Sequence, residues 1–169
     1  MYATIVAQMS KQLGQLDKWL EAAAGFADDK KFEADVFLGL GLAPNQFGFG
    51  RQVQIACDTA KKAAARLTGK DAPVHDDSEQ TLTELRTRVT DTIAYLDGFS
   101  AADFDNAASQ VITQPRWKGQ TMTGADFFVE HAIPNFYFHL TTAYAILRHN
   151  GVELGKRDFL GALTKSDPS

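Results

Sequence analysis

Phe127-Phe-Val-Glu-His131-Ala-Ile-Pro134-Asn135-Phe-Tyr-Phe-His139-Leu-Thr-Thr-Ala-Tyr144-Ala-Ile-Leu-Arg-His149-Asn150 holds three of the chain's four histidines. At helical spacing it carries two stripes. One runs Phe128, His131, Asn135, Phe138/His139, Thr142 and Ile146, and the other runs Ile133, Tyr137, Leu140, Tyr144 and Leu147. A surface helix has one apolar stripe and one charged face. Between Ala132 and Leu147 there is no Lys, Arg, Asp or Glu. Such a helix is covered on both sides: one stripe meets the chain's own core, and the other meets more core or a second subunit. Pro134 lies inside the pattern and predicts a kink, or two abutting pieces near Ile133.

Working outward, 169 residues suit one domain, here taken as 1–169, with a sizeable core. Apolar content of 44% and charged content of 22% are ordinary for a globular protein. The net charge of −4 gives no support to nucleic-acid binding, which calls for a basic stripe. Lys61, Lys62 and Arg66 form one small basic patch, read as a solvated helix face. No run reaches the length of a membrane span. The start, Met1-Tyr-Ala-Thr-Ile-Val, lacks a basic region and is interrupted by Gln8, Ser10 and Lys11, so it does not read as a signal peptide. Cys57 is the single cysteine, and cytoplasm is the expected compartment.

Three further helices precede or flank this stretch in the pattern. Ile5, Val6, Met9, Leu13, Leu16, Leu20 and Ala23 predict a first helix over Thr4 to Phe26. Phe32 to Gly50 is rich in Gly, and its apolar residues predict short turns packed on the body. Val53, Ala56, Ala60, Ala63, Ala64 and Leu67 predict a second helix over Phe49 to Leu67, closed by Gly69. Its alanines imply close approach of a neighbour. Leu82, Leu85, Val89, Ile93 and Leu96 predict a third helix, starting near Asp77 with Asp77 and Gln80 at capping-box spacing. Glu84 and Arg88 read as an outside i,i+4 pair. Val111 to Met122 flanks Pro115 and Gly119 with β-branched residues and predicts a small hairpin. Thr123 and Asp126 then cap the fourth helix, and Leu154, Phe159 and Leu160 dock a short tail whose end frays. The order predicts an all-α four-helix bundle with a hairpin insertion between helices three and four.

Asn135-Phe-Tyr-Phe-His139-Leu-Thr-Thr-Ala-Tyr-Ala-Ile-Leu-Arg-His-Asn-Gly151, with Leu154-Gly-Lys-Arg-Asp-Phe-Leu160, resembles the C-terminal signature of an uncharacterised bacterial and fungal family. Leu42-Ala-Pro-Asn-Gln-Phe and Arg51-Gln-Val-Gln-Ile-Ala56 resemble its other signature. That family is similar to the DinB/YfiT-like metalloenzymes. The resemblance implies a four-helix bundle, often dimeric. In the wider superfamily it also implies a divalent metal, such as zinc or nickel, held by one histidine of the second helix and two, four residues apart, of the fourth. Some members transfer thiols to electrophiles. The chain departs from this triad. Its second helix has no histidine, offering Gln52, Gln54 and Asp58 instead. Four residues before His139 is Asn135, and His131 is eight before, a separation of roughly 12 Å along straight helix. Asn45 stands where an Asp is expected from the family, which removes one carboxylate.

The candidate ligand-binding residues are therefore His139, Asn135 and His131, with Gln54 as the contribution of the second helix; no metal ligand set is assigned. His139 in an apolar stripe needs a partner, either a hydrogen-bonded core neighbour or a ligand. Gln52 and Gln54 point to different faces, so at most one of them enters the core. Cys57 among alanines reads as a small buried hydrophobe. His149 complements the helix C-terminus, and His75 reads as exposed. Trp117 on the hairpin is a candidate to lid a pocket or to clasp a partner. Two functions are carried forward: a metal-independent small-molecule-binding or structural protein around His139, and a divalent-metal enzyme of thiol-transferase or hydrolase type. A homodimer is expected from the doubly apolar fourth helix.

Overall fold

A computed structural model describes residues 1–166. Four long helices pack around one core, and a small insertion lies between the third and fourth. The first helix, Tyr2–Lys30, buries Val6, Met9, Leu13, Leu16, Leu20, Ala23 and Ala27. It runs a turn beyond Phe26 because Ala27 continues the buried face. Lys31 then turns left-handed at φ 61°. The Phe32 N–H donates to the Ala27 carbonyl, the Lys31 N–H to that of Asp28, and the Phe32 ring meets Phe26 at 6.0 Å. This is a Schellman end with its apolar contact.

Residues 31–48 pack only in part as expected: a 3-10 turn, Ala34–Gly39, buries Phe37, and Leu38 and Leu40 are half-buried, while Phe32, Val36 and Leu42 stay exposed. The second helix, Phe49–Thr68, places Ala56, Ala60, Ala63 and Ala64 wholly out of solvent. These small side chains let the fourth helix, its main neighbour, approach closely. Gly69 ends it at φ 72°.

The third helix, Leu82–Asp97, begins later than predicted. Its capping box is Thr81 with Glu84, not Asp77 with Gln80. Asp77 is unavailable because its carboxylate accepts from Arg51 and Arg88. The outside Glu84–Arg88 pair is likewise corrected. Glu84 reaches back to the Thr81 N–H, while Arg88, 1% exposed, turns inward to Asp58, Asp77 and Glu79.

The insertion forms the expected hairpin. β1, Val111–Ile112, pairs antiparallel with β2, Met122–Thr123, in the register Val111 to Thr123 and Ile112 to Met122. Its loop is a 3-10 turn, Pro115–Trp117. Gly124 seats the insertion: a Cβ there would lie 1.9 Å from the Ala107 carbonyl oxygen.

The fourth helix comes in abutting pieces, as Pro134 predicts. A turn, Gly124–Asp126, leads into a π-helical segment, Phe127–Ala132, and then the α-helix Ile133–His149. Proline lacks an N–H, and it falls in the first turn of that α-helix, where no intrahelical partner is needed. Both stripes are largely covered within the chain, except at Phe138 of the first, which is 58% exposed. Tyr144 of the second stripe packs edge-on against Trp19 at 5.5 Å and Phe159 at 5.6 Å. A short helix, Lys156–Leu160, docks there, with Trp19 Nε1 donating to the Asp158 carbonyl at 3.1 Å. Of the end expected to fray, 167–169 lie outside the described residues. Among the described residues no helix is long and apolar enough to cross a membrane.

Candidate functional site

A cavity of about 470 Å³ opens between the second and fourth helices, with the hairpin loop as its third wall. The second helix faces it with Arg51, Ile55, Asp58, Thr59, Lys62 and Arg66, residues three and four apart. The fourth contributes Phe127, His131, Asn135 and His139, and the hairpin loop contributes Gln114, Pro115 and Arg116. Phe47 closes one end.

His139 is held from the second helix. Its Nδ1 lies 2.7 Å from Gln52 Oε1, and Gln52 Nε2 donates to the Phe47 carbonyl at 2.9 Å. The amide is thereby oriented with its oxygen toward the ring, so Nδ1 carries the proton and Nε2 keeps its lone pair. Burial, and then the positive charge of Arg51, push the imidazole below its ordinary 6.5 and favour this neutral form. Gln54, the predicted partner, turns away: it accepts from Arg51 at 2.9 Å and donates to Glu79 at 2.9 Å. Gln52 and Gln54 are two residues apart, about 200° around the helix, and only one can face His139.

Asn135 Nδ2 donates to Thr59 Oγ1 at 2.7 Å, and that hydroxyl donates to the Ile55 carbonyl at 2.7 Å. His131, on the π-helical segment, stacks on Phe127 with centroids 5.4 Å apart. Arg116 donates to its Nε2 at 2.5 Å, which leaves the proton on a buried Nδ1 that has no partner. Burial, then Arg116 and Arg66, lower this imidazole too. Trp117 does not line the cavity. It backs His131 edge-on at 5.8 Å, so the hairpin closes the site through Arg116 rather than through the indole.

The basic patch is a solvated face only at Lys62, which is 47% exposed. Lys61 is 2% exposed, 2.9 Å from Asp58 and 2.7 Å from His75 Nδ1, so His75 is not free in solvent either. Arg66 lies over the Phe127 ring at 5.7 Å. Cys57 is wholly buried, its thiol pushed up to about 12 mainly by burial.

The side chains do not fit the divalent metal that the resemblance implies. His139 Nε2 is a suitable donor. Asp58 is not free: burial would raise its carboxyl, but hydrogen bonds from Lys62 and Lys61 hold it at about 2, and Arg88 adds a third cation at 2.8 Å. His131 Nε2 is taken by Arg116. Arg51, Lys62, Arg66 and Arg116 would all repel a cation. Among the described residues no three His, Cys, Asp or Glu side chains converge as a metal site.

Residues 1–160 match the family described as Domain of unknown function (DUF1993). The chain belongs to this family. A crystal structure at 1.83 Å of a DinB family member protein from Shewanella denitrificans is similar to it at 57% identity. The match covers 96% of this chain and 93% of that one, with a TM-score of 0.92. No curated protein matches. The all-α DinB-like fold is thus shown. Within this DUF1993 chain, the predicted His139, Asn135 and His131 are brought to one cavity and Gln54 is not. Gln52 was weighed beside Gln54 and takes the place given to it, while Arg66, Gln114 and Arg116 line the cavity without having been singled out for it. For Arg66 a signal existed: it continues the Arg51, Ile55, Thr59, Lys62 spacing. For the hairpin residues there was none.

Proposed function

We propose that this protein binds a small molecule in the cavity between its second and fourth helices, without a resident metal. One observation carries the reading: Gln52 fixes His139 so that Nε2 is an acceptor in a cavity shared with Asn135 and His131. Thr59 and Asn135 tie the two helices beside it, which pre-organises the walls. The cavity volume lies in the range of small-molecule sites. The cytoplasm is the compartment we propose, supported by a lone buried thiol that needs no oxidising environment.

The test is thermal unfolding across a metabolite library containing anionic, neutral and cationic compounds. It compares the wild type with Thr59→Trp and Ile55→Trp, each of which fills the cavity. A ligand at a hundred times its Kd adds about 2.7 kcal/mol, or about 5–10 °C for a chain of this size. Compounds that raise Tm in the wild type and in neither filled variant support the reading. A library in which no compound of any charge does so overturns it.

A further inference from the structure

We infer that the ligand of this cavity is a small organic anion whose phosphate or carboxylate group is held between Arg66 and Arg116. The inference rests on the cavity reading above and names the ligand class. It starts from how the four cations that line the cavity are placed. Arg51 pairs with Asp77 and Lys62 with Asp58. Among the described residues Arg66 and Arg116 pair with no carboxylate. Both line the same cavity.

Both guanidiniums are also positioned. Arg66 rests on the Phe127 ring at 5.7 Å, and Arg116 is bonded to His131 at 2.5 Å. Burial, and then the charge of Arg116, disfavour the charged form of Arg66, and both guanidiniums line one cavity without a carboxylate partner. An anion between them removes that repulsion and gains charge-assisted hydrogen bonds. Gln114, 8% exposed and in the same wall, has an amide nitrogen without an acceptor. The one carboxylate in the lining, Asp58, is neutralised by Lys61, Lys62 and Arg88, so it does not oppose an anion. Phe47, Ile55 and Phe127 provide apolar wall for the rest of the molecule.

The test is calorimetric titration of the full chain with phenyl phosphate, benzoate and the neutral benzyl alcohol, each to millimolar concentration. Arg66→Gln, Arg116→Gln and Arg66→Lys are compared with the exposed control Lys118→Gln. We expect one or both anions to bind and the alcohol to bind at least about tenfold more weakly, the effect of about one charge-assisted hydrogen bond. Each Arg→Gln change weakens the anion about tenfold, Arg66→Lys weakens it less, and Lys118→Gln leaves it unchanged. The better of phenyl phosphate and benzoate identifies the headgroup. Equal binding of the alcohol, unchanged anion affinity in folded Arg→Gln variants, or no binding of either anion overturns the assignment. In those cases a cavity-dependent neutral hit in the library screen leaves the small-molecule reading standing. An empty screen removes both.

Discussion

Gln52 Oε1 and His139 Nδ1, 87 residues apart in sequence, lie 2.7 Å apart between the second and fourth helices. This one bond sets the tautomer of the histidine and the face it turns to the cavity. Gln52→Leu removes the acceptor and leaves Nδ1–H buried without a partner, at a cost of about 1–3 kcal/mol. The expected loss in Tm is about 2–12 °C. Gln52→Glu instead places a carboxylate on the ring and raises the imidazole above its wild-type value. Proton NMR titration of His139 checks the second variant. A titration curve that does not move upward would show that the pair is not formed.

Acid should destabilise this protein early. Burial is the first cause that lowers the imidazoles of His75, His131 and His139 from the ordinary 6.5, and neighbouring cations add to it. Above that value both folded and unfolded states carry neutral rings, and stability is flat. Below it the unfolded chain takes up protons first, so stability falls as pH drops through 6.5. Asp58, held at about 2 by its lysines, acts in a separate window: its contribution is present above its ordinary 3.8 and is lost below that as pH approaches 2. Urea midpoints at pH 7.5, 6.5 and 5.5 should decrease in that order. A midpoint unchanged or higher at pH 5.5 would contradict the buried, neutral state of these rings.

Arg88 is the charged centre beneath the second and third helices. Its buried guanidinium meets Glu79 and Asp58 at 2.8 Å and Asp77 at 2.7 Å. Arg88→Ala strands these carboxylates and should cost about 3–5 kcal/mol, seen as a fall in Tm of about 6–20 °C. Glu84→Gln, which weakens only a helix cap, should cost about 1 kcal/mol. Equal small losses from the two changes would instead fit a solvent-exposed Glu84–Arg88 pair.

Metal removal is expected to change nothing. The donors near His139 are occupied by cations, so protein purified without added metal and dialysed against a chelator should keep its Tm within about 1 °C, well below the gain from a bound ligand. Elemental analysis should find no stoichiometric zinc, nickel or iron. Stoichiometric metal that is lost in His139→Ala would refute the metal-free reading.

We also propose a homodimer. The second apolar stripe of the fourth helix does not require it, because Tyr144 packs within the chain on Trp19 and Phe159. Phe138 at 58% and Val129 at 57% exposure remain as large apolar groups on the outside. Light scattering at micromolar concentration should give a dimer, and Phe138→Asp a monomer. A wild-type monomer ends the proposal.

The sequence by itself determined the helices, their order and the hairpin. Those follow from local rules: apolar period, Gly69 at a helix end, Pro134 in a first turn, Thr123 and Asp126 at a cap. It also placed His139, Asn135 and His131 on one stripe, because i and i+4 positions share a face whatever surrounds them. What only the tertiary structure decided is who meets whom across elements. Whether Gln52 or Gln54 faces His139 depends on the rotation of the second helix about its axis, which both apolar patterns tolerate. Arg88 turns inward because Asp58, Asp77 and Glu79 come from two other segments to meet it. Arg66 and Arg116 become one site only when the hairpin folds over the second helix, 50 residues away. Charge pairing acts through space, and helical periodicity carries no record of it.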